Sequence, residues 1–246
     1  MKKEIKSELR TDEIGFGNLK LTQAVDEFCY GVDAVILADF ASKISKTKGL
    51  VFDFGTGTGV IPLIISHKLK NCKIVGVELQ EKSAKLAKAN VRENGLEDRI
   101  TILNSNILDI DSKYYSMVDV VVSNPPYMAK NGALQNLNDA KSIARHETAA
   151  DLEQFFMMAA KLLKNRGQLF MVHRPSRLVD LLAYGRKYKL EAKTMQMVAP
   201  KNGAIPNIVL LHFVKNGGKE LKILKPLDVH KEGGDYTDEI LEIYEK

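Results

Sequence analysis

Residues 50–59 read LVFDFGTGTG. A mostly apolar run of five residues makes a strand buried on both faces, and glycines follow at positions 55, 57 and 59. Glycine adopts left-handed backbone without a Cβ clash and lets another group approach the main chain closely. A strand that enters such a turn and leaves it as an apolar helix, from Gly59 to Leu69, is the first βα unit of an open α/β sheet. Sheets of that kind bind ligands beyond the carboxyl ends of their strands. The dinucleotide fingerprint G-x-G-x-x-G would require a glycine at position 60, where Val60 stands, so a nicotinamide cofactor is disfavoured.

Further along, short apolar runs alternate with helical patterns. Strands are expected at 73–79 (KIVGVEL), 99–103 (RITIL), 118–123 (VDVVVS), 168–173 (QLFMVH), 191–199 and 205–214. Helices are expected at 81–94, 151–164 and 176–188. In the first of these, Ala84, Ala87 and Val91 sit at helical spacing with lysines opposite. With residues 50–54 this makes seven strands, and the alternation predicts a doubly wound, mostly parallel seven-stranded sheet in an α/β fold. The catalytic domain is expected over 49–215. Residues 1–48 read as an extension, with a strand or hairpin in NLKLTQAVD and a helix over 31–45. Residues 216–246 read as a turn-rich tail ending in a short helix and packing on the domain. Residues 128–148 form a polar loop long enough to suggest function.

Composition narrows the classes. The chain has 246 residues, 45% of them hydrophobic and 27% charged, with net charge +5 and pI about 9.0. That balance suits a globular protein and is compatible with a nucleic-acid partner. Lys82, Lys85, Lys88 and Arg92 along one helix, and Arg174 and Arg177 after the fifth strand, are the candidate basic groups; a solvated helix face is the other explanation for the first four. Cys29 and Cys72 lie far apart and the five histidines are scattered, so neither a disulfide framework nor a metal site is expected, and a reducing cytoplasm is. The amino terminus MKKEIKSELR has no apolar stretch after it, and no apolar run is long enough to span a bilayer.

The spacing Asp-x-Gly-x-Gly-x-Gly at 53–59 resembles the S-adenosylmethionine (SAM) loop of class I methyltransferases; a glycine turn without a ligand is the bland alternative. Glu78 ends the second strand beside this loop, where a carboxylate can accept both hydroxyls of a ribose. After the third strand comes NSNILD (104–109). There an acidic or amide side chain commonly accepts the adenine amino group; Asn106 fits by position, with Asp109 as its competitor.

The fourth strand ends in SNPPY. An exocyclic amine is a poor nucleophile because its lone pair is delocalised, and acceptors that hold its two N–H groups turn that lone pair toward the methyl donor. The side-chain oxygen of Asn124 is one such acceptor, and the carbonyl of Pro125 is the other. Pro125 and Pro126 hold that corner rigidly and supply no competing donor. The Tyr127 ring can stack on a planar substrate. Such a site supplies positioning and electrostatics rather than a strong base.

NPPY after strand four, with DFGTGTG after strand one, resembles the amino-group methyltransferases. FCYGVDAVILADF (28–40), ARHE (144–147) and the carboxyl-terminal stretches PNIVLLHF, GGKELKILKPL and YTDEILEIY narrow the resemblance to the bacterial tRNA(Val) adenine-37 N6-methyltransferases and their Gram-positive relatives, over nearly the whole chain. The resemblance implies SAM as cofactor, held by Asp53, Gly55, Thr56, Gly57, Gly59, Glu78, Leu79, Asn106, Ile107 and Asn124. Tyr30 to Asp33 match the segment that closes over the methionine end, and Arg145 matches a loop arginine placed on the substrate. It implies N6 methylation of adenine in a tRNA anticodon loop. Glutamine N5-methylation of a release factor, amino methylation of rRNA or DNA, and a non-catalytic RNA-binding protein on the same fold stay open. Ile208, after Pro206–Asn207, departs from the arginine that enterobacterial members carry in that region; if that arginine grips RNA, this chain is expected to grip differently or to grip a different RNA.

Overall fold

The computed structural model describes residues 8–24, 30–125 and 151–246. β1 (Leu9–Gly15) and β2 (Leu19–Ala24) form a hairpin, followed by α1 (Val32–Ser45), β3 (Leu50–Phe54), α2 (Val60–Lys68), β4 (Lys73–Glu78), α3 (Glu81–Glu93), β5 (Ile100–Asn104) and β6 (Val118–Ser123). Then come α4 (Leu152–Leu162), β7 (Leu163–His173), α5 (Leu178–Lys187), β8 (Leu190–Lys201), β9 (Ile208–Lys215), β10 (Lys222–Ile223), β11 (Leu227–His230) and α6 (Asp238–Ile243).

One sheet runs β10–β8–β9–β7–β6–β3–β4–β5, and β11 also pairs with β8. Every pairing is parallel except those of β9, which runs against β7 and β8. Parallel strands are covered on both faces, hence their near-continuous apolar sequences. On one face α1, α2, α3, the hairpin and α6 enclose Val35, Leu63, Ala87, Val122 and Val172. On the other, α4 and α5 enclose Phe52, Phe156, Val121 and Leu211. The order reverses between β3 and β6, which is where an open sheet leaves a crevice at its carboxyl edge.

Among the described residues the sheet has nine strands, not the expected seven. β10 and β11 are only two and four residues long and add to the β8 edge. Stretches that short carry no readable period, and the flanking LKP sequence looks like a turn. β7 also starts at Leu163, five residues before the expected boundary: the turn-like NRG is a bulge inside the strand, with Arg166 at φ 64° and a register shift opposite Val118–Val120. α4 therefore runs straight into β7, and Lys215 Nζ donates to the Ala160 and Leu163 carbonyls at that junction, both at 2.7 Å. Among the described residues no helix is long and apolar enough to cross a membrane, and no cluster of three or more histidine, cysteine or acidic residues could hold a metal.

The hairpin is fastened by an unusual ladder. Asn90 and Asn94, one helical turn apart on α3, each pair with the backbone of alternate β2 residues. Asn90 Oδ1 accepts from Thr22 N–H (2.8 Å) and its Nδ2 donates to Thr22 C=O (3.0 Å). Asn94 does the same to Lys20, at 2.9 and 2.8 Å. Four residues of helix rise about 6 Å and two residues of strand about 6.6 Å, so the two amides serve as a neighbouring strand for an otherwise bare edge. Asn90 is fully buried, and its Nδ2 also donates to Thr58 C=O at 2.8 Å, inside the glycine turn. Replacing Asn90 with Ala leaves three half-buried backbone groups without their partner. The expected loss is about 3 kcal/mol in urea unfolding, larger than for an exposed asparagine.

Candidate active site

At the carboxyl edge the glycine turn is stitched to β4: the N–H groups of Gly55 and Thr56 both donate to Val77 C=O, at 2.9 and 3.1 Å. Gly55, Gly57 and Gly59 all have positive φ, at 73°, 56° and 89°. The Glu78 carboxylate is 7% exposed and held from two sides. Its Oε2 accepts from Gly57 N–H and its Oε1 from Gln80 N–H, both at 2.8 Å. Each oxygen keeps one lone-pair direction for an outside donor. Asn104 Nδ2 donates to the carbonyls of Glu78 (2.9 Å) and Leu79 (3.1 Å), which fixes the end of β4 against β5. Leu79 stands 41% exposed beside that carboxylate, and Ile107 is buried nearby in the apolar layer below. Asn106 caps the short 3-10 turn 107–109, its Oδ1 accepting from Leu108 N–H at 3.0 Å, while Asp109 is exposed.

Asp53 is wholly buried, and neither carboxylate oxygen has a hydrogen-bond partner. Burial lifts its pKa from 3.8 to about 7; the nearby Thr56 hydroxyl draws it down somewhat and the Glu78 charge pushes it up. No hydrogen bond of ordinary geometry joins Asp53 to Thr56, whose hydroxyl is itself unpaired. Across β4, Asp53 faces Gly76. A Cβ on Gly76 would come within 2.9 Å of Thr56 Oγ1, so a side chain there would displace Thr56.

Asn124 and Pro125 follow β6 directly. In the β3–β6 register Phe54 faces Ser123, and Ser123 Oγ donates to Phe54 C=O at 3.0 Å. Asn124, the next residue, is half-buried just past the carboxyl end of β6. On the next strand His173 ends β7; it is buried, accepts at Nδ1 from Arg174 N–H (2.8 Å), and stays neutral down to about pH 4, chiefly through burial and then the Arg177 charge. Pro126, Tyr127 and Arg145 lie outside the described residues. Tyr30, Gly31 and Asp33 open α1, with Tyr30 N–H donating to Gln23 Oε1 at 2.8 Å.

Four of the six candidate basic groups are engaged locally. Lys85 pairs with Glu81 (2.7 Å), Arg92 with Glu97 (3.2 Å) and Arg177 with Asp180 (2.7 Å), while Arg174 Nη1 donates to Asn207 C=O (3.1 Å). Exposed pairs of this kind exchange readily with other anions. Asn90, Gly76 and Gln23 also belong to this corner, although none lies in a motif. Asn90 had a signal: it sits on the same helical face as Ala84, Ala87 and Val91, and a polar residue on an apolar face needs a partner. Gly76 and Gln23 had none in a single sequence.

The model of the family "Methyltransferase small domain" matches residues 32–182. The tRNA1(Val) (adenine(37)-N6)-methyltransferase of Porphyromonas gingivalis is 30% identical over 204 residues, 78% of this chain and 78% of its own length. Its namesake from Bacteroides thetaiotaomicron is 30% identical over 87% of this chain and 89% of its own. Among solved structures, a predicted O-methyltransferase from Agrobacterium tumefaciens superposes with TM-score 0.69 at 17% identity, over 87% of this chain and 95% of that one. A geranyl diphosphate methyltransferase in complex with SAM superposes with TM-score 0.54 at 18% identity, over 74% and 84%. At such identities the likeness concerns the fold.

Asp53 also sets a stability trend. The folded protein binds its proton more tightly than the unfolded chain, so stability falls as pH rises from about 3.8 to about 7. Asp53→Asn removes that penalty. In thermal melts of ligand-free protein the variant should gain on the wild type from pH 4 to pH 8, by up to about 4 kcal/mol at the upper end. An equal difference at both pH values would contradict the buried, unpaired carboxylate.

Proposed function

The chain belongs to the methyltransferase small-domain family, and from that premise we propose that it transfers a methyl group from SAM to N6 of adenine in a tRNA anticodon loop, at position 37. One observation carries the assignment of the site. The Glu78 carboxylate, fixed by the glycine turn at the end of β4, and Asn124, just past the end of β6, stand on either side of β3, where the strand order reverses. A nucleoside bound at the first presents its far end to the second.

The residues fit the cofactor. Glu78 takes the ribose diol with its two remaining lone-pair directions, Leu79 and Ile107 wall the adenine, and Asn106 meets the adenine amino group. Gly55, Thr56, Gly57 and Gly59 let the ligand approach the backbone. Tyr30 to Asp33 close over the methionine end, and the unpaired oxygens of Asp53 suit its ammonium group. When bound, the cofactor supplies an electrophilic methyl group on a sulfonium. The Asn124 side-chain oxygen and the Pro125 carbonyl accept from the two N–H groups of the target amine and point its lone pair at that methyl. Pro126 stiffens the corner, Tyr127 stacks on the base and Arg145 contacts the RNA.

The tRNA assignment draws on the activity for which the relatives are named, at 30% identity over most of the chain. It also draws on the ledge beyond Asn124. There the 201–207 turn, tied to Arg174 through Asn207, exposes 88% of Ile205, and the start of α5 exposes 80% of Val179 beside Arg177. Apolar groups interleaved with arginines suit unstacked bases and their phosphates. Ile208 itself is buried, so that position offers no side chain to an RNA.

Labelled SAM with tRNA from a strain lacking this gene, followed by mass spectrometry of the nucleosides, should show N6-methyladenosine. Label appearing instead on a release-factor peptide would replace tRNA by protein as substrate. Asn124→Ala should leave cofactor affinity nearly unchanged and lower single-turnover methylation about 100-fold, the scale of one lost preorganised acceptor; a fully active variant would refute the mechanism. Affinity for tRNA should fall steeply between 50 and 200 mM salt if, as is typical, roughly three or more phosphates are contacted.

A further inference from the structure

We propose that Gln23 binds the carboxylate of the cofactor's amino-acid end, opposite Asp53 at the ammonium; this rests on the SAM assignment above. Gln23 is 2% exposed, yet its Nε2 donates to nothing. A buried amide N–H without an acceptor is costly, so an unfilled donor marks a place where an acceptor arrives from outside.

Three observations direct that donor at the cofactor corner. First, Oε1 of the same amide accepts from Tyr30 N–H at 2.8 Å, one residue before the Gly31 cap of α1. The two polar atoms of an amide share one carbon, so Nε2 lies beside the start of α1, the segment assigned to the methionine end. Second, β2 climbs α3 against its direction, pairing Lys20 with Asn94 and then Thr22 with Asn90. Gln23 is thus the next residue toward the carboxyl edge, just past the Asn90 clasp on Thr58 of the glycine turn. Third, side chains alternate along a strand, and Gln23 shares the inward side with Leu21, which is buried in the layer over β3 and β6.

Around this corner the unpaired buried groups are the Gln23 donor, the Thr56 hydroxyl and both Asp53 oxygens. One donor and one carboxylate are the complement of a zwitterion. The start of α1 has no side-chain cap from Gly31, and the positive end of its dipole favours an anion on the same side. Asp33, the acid in that first turn, folds back on its own helix end, its Oδ1 lying 3.6 Å from where a Gly31 Cβ would be.

Two ligands separate this role from simple support of the fold. S-adenosylhomocysteine carries the amino-acid end, and methylthioadenosine lacks it while keeping the nucleoside. Calorimetry on Gln23→Glu, which keeps an acceptor for Tyr30 N–H but replaces the donor with an anion, should show S-adenosylhomocysteine weakened about tenfold or more and methylthioadenosine changed by less than about twofold. Gln23→Met, uncharged and of similar length, should show the same selectivity at smaller amplitude, and stands in if the first variant does not fold. Equal weakening of both ligands, or of neither, overturns the role of Gln23. Wild-type protein that binds neither ligand overturns the cofactor assignment itself.

Discussion

A carboxylate enclosed by protein with no hydrogen-bond partner is among the least favourable groups a fold can carry, and Asp53 is one. It sits at the next-to-last position of the central strand, and much around it follows from holding that strand end rigid. β3 is paired on both sides up to its last residue, Phe54 facing Val77 on one flank and Ser123 on the other. Gly76 leaves the space that Thr56 occupies over the carboxylate. The glycine turn is then bound back to Val77, so the backbone cannot relax to bring a donor to Asp53. Local instability at functional positions is ordinarily offset by the surrounding structure. Here the offset comes from the doubly paired strand and the buried apolar layers above and below it.

The same rigidity divides the carboxyl edge into two halves. On the β4–β5 side the polar groups are already oriented: Glu78 by two backbone N–H groups, Asn104 by two carbonyls and Asn106 by a cap. A ligand there meets a surface that needs little reorganisation. On the β7–β9 side Arg177 is held by a half-exposed pair with Asp180, Arg174 by the Asn207 carbonyl, and the apolar residues stand in solvent. A surface of that kind can trade its partners for those of a larger, more variable substrate. The hairpin and the carboxyl-terminal segment support the first half from outside. Asn90 ties β2 to the glycine turn, and Glu245 reaches His67 and Lys68 at the end of α2 at 2.9 and 3.1 Å.

Much of this was legible in the sequence because the decisive elements are long, periodic or both. β3, β4, β5 and β6 fall within a residue of their expected bounds, since each is a continuous apolar run closed by a polar or glycine signal. Glu78 could be placed because a strand end and a glycine turn fix its position without reference to distant contacts. What escaped was tertiary. β10 and β11 are too short to show a period and exist because β8 offers them an edge. The NRG bulge inside β7 looks like a turn until Leu163 is seen to pair with Val118. Gln23 acquires meaning only from Tyr30, Asn90 and Thr58, seven to sixty-seven residues away, and no local pattern announces such a meeting.

The three glycines of the turn illustrate how one residue type can answer different demands. All have positive φ, which alone disfavours a side chain. At Gly59 packing adds a second reason: a Cβ would lie 3.4 Å from that of Ala87, so the α2–α3 contact is set there. At Gly55 and Gly57 a Cβ would meet no protein atom within 4 Å. The fold therefore needs their backbone shape but not the room around them. Gly57 at the same time spends its N–H on Glu78, which commits the peptide to one orientation. The turn thus leaves open space beside Glu78, which gives the proposed cofactor access to the backbone. Glu78 and Asp53, with acceptor capacity left over on either side of it, define the polarity such a ligand must have.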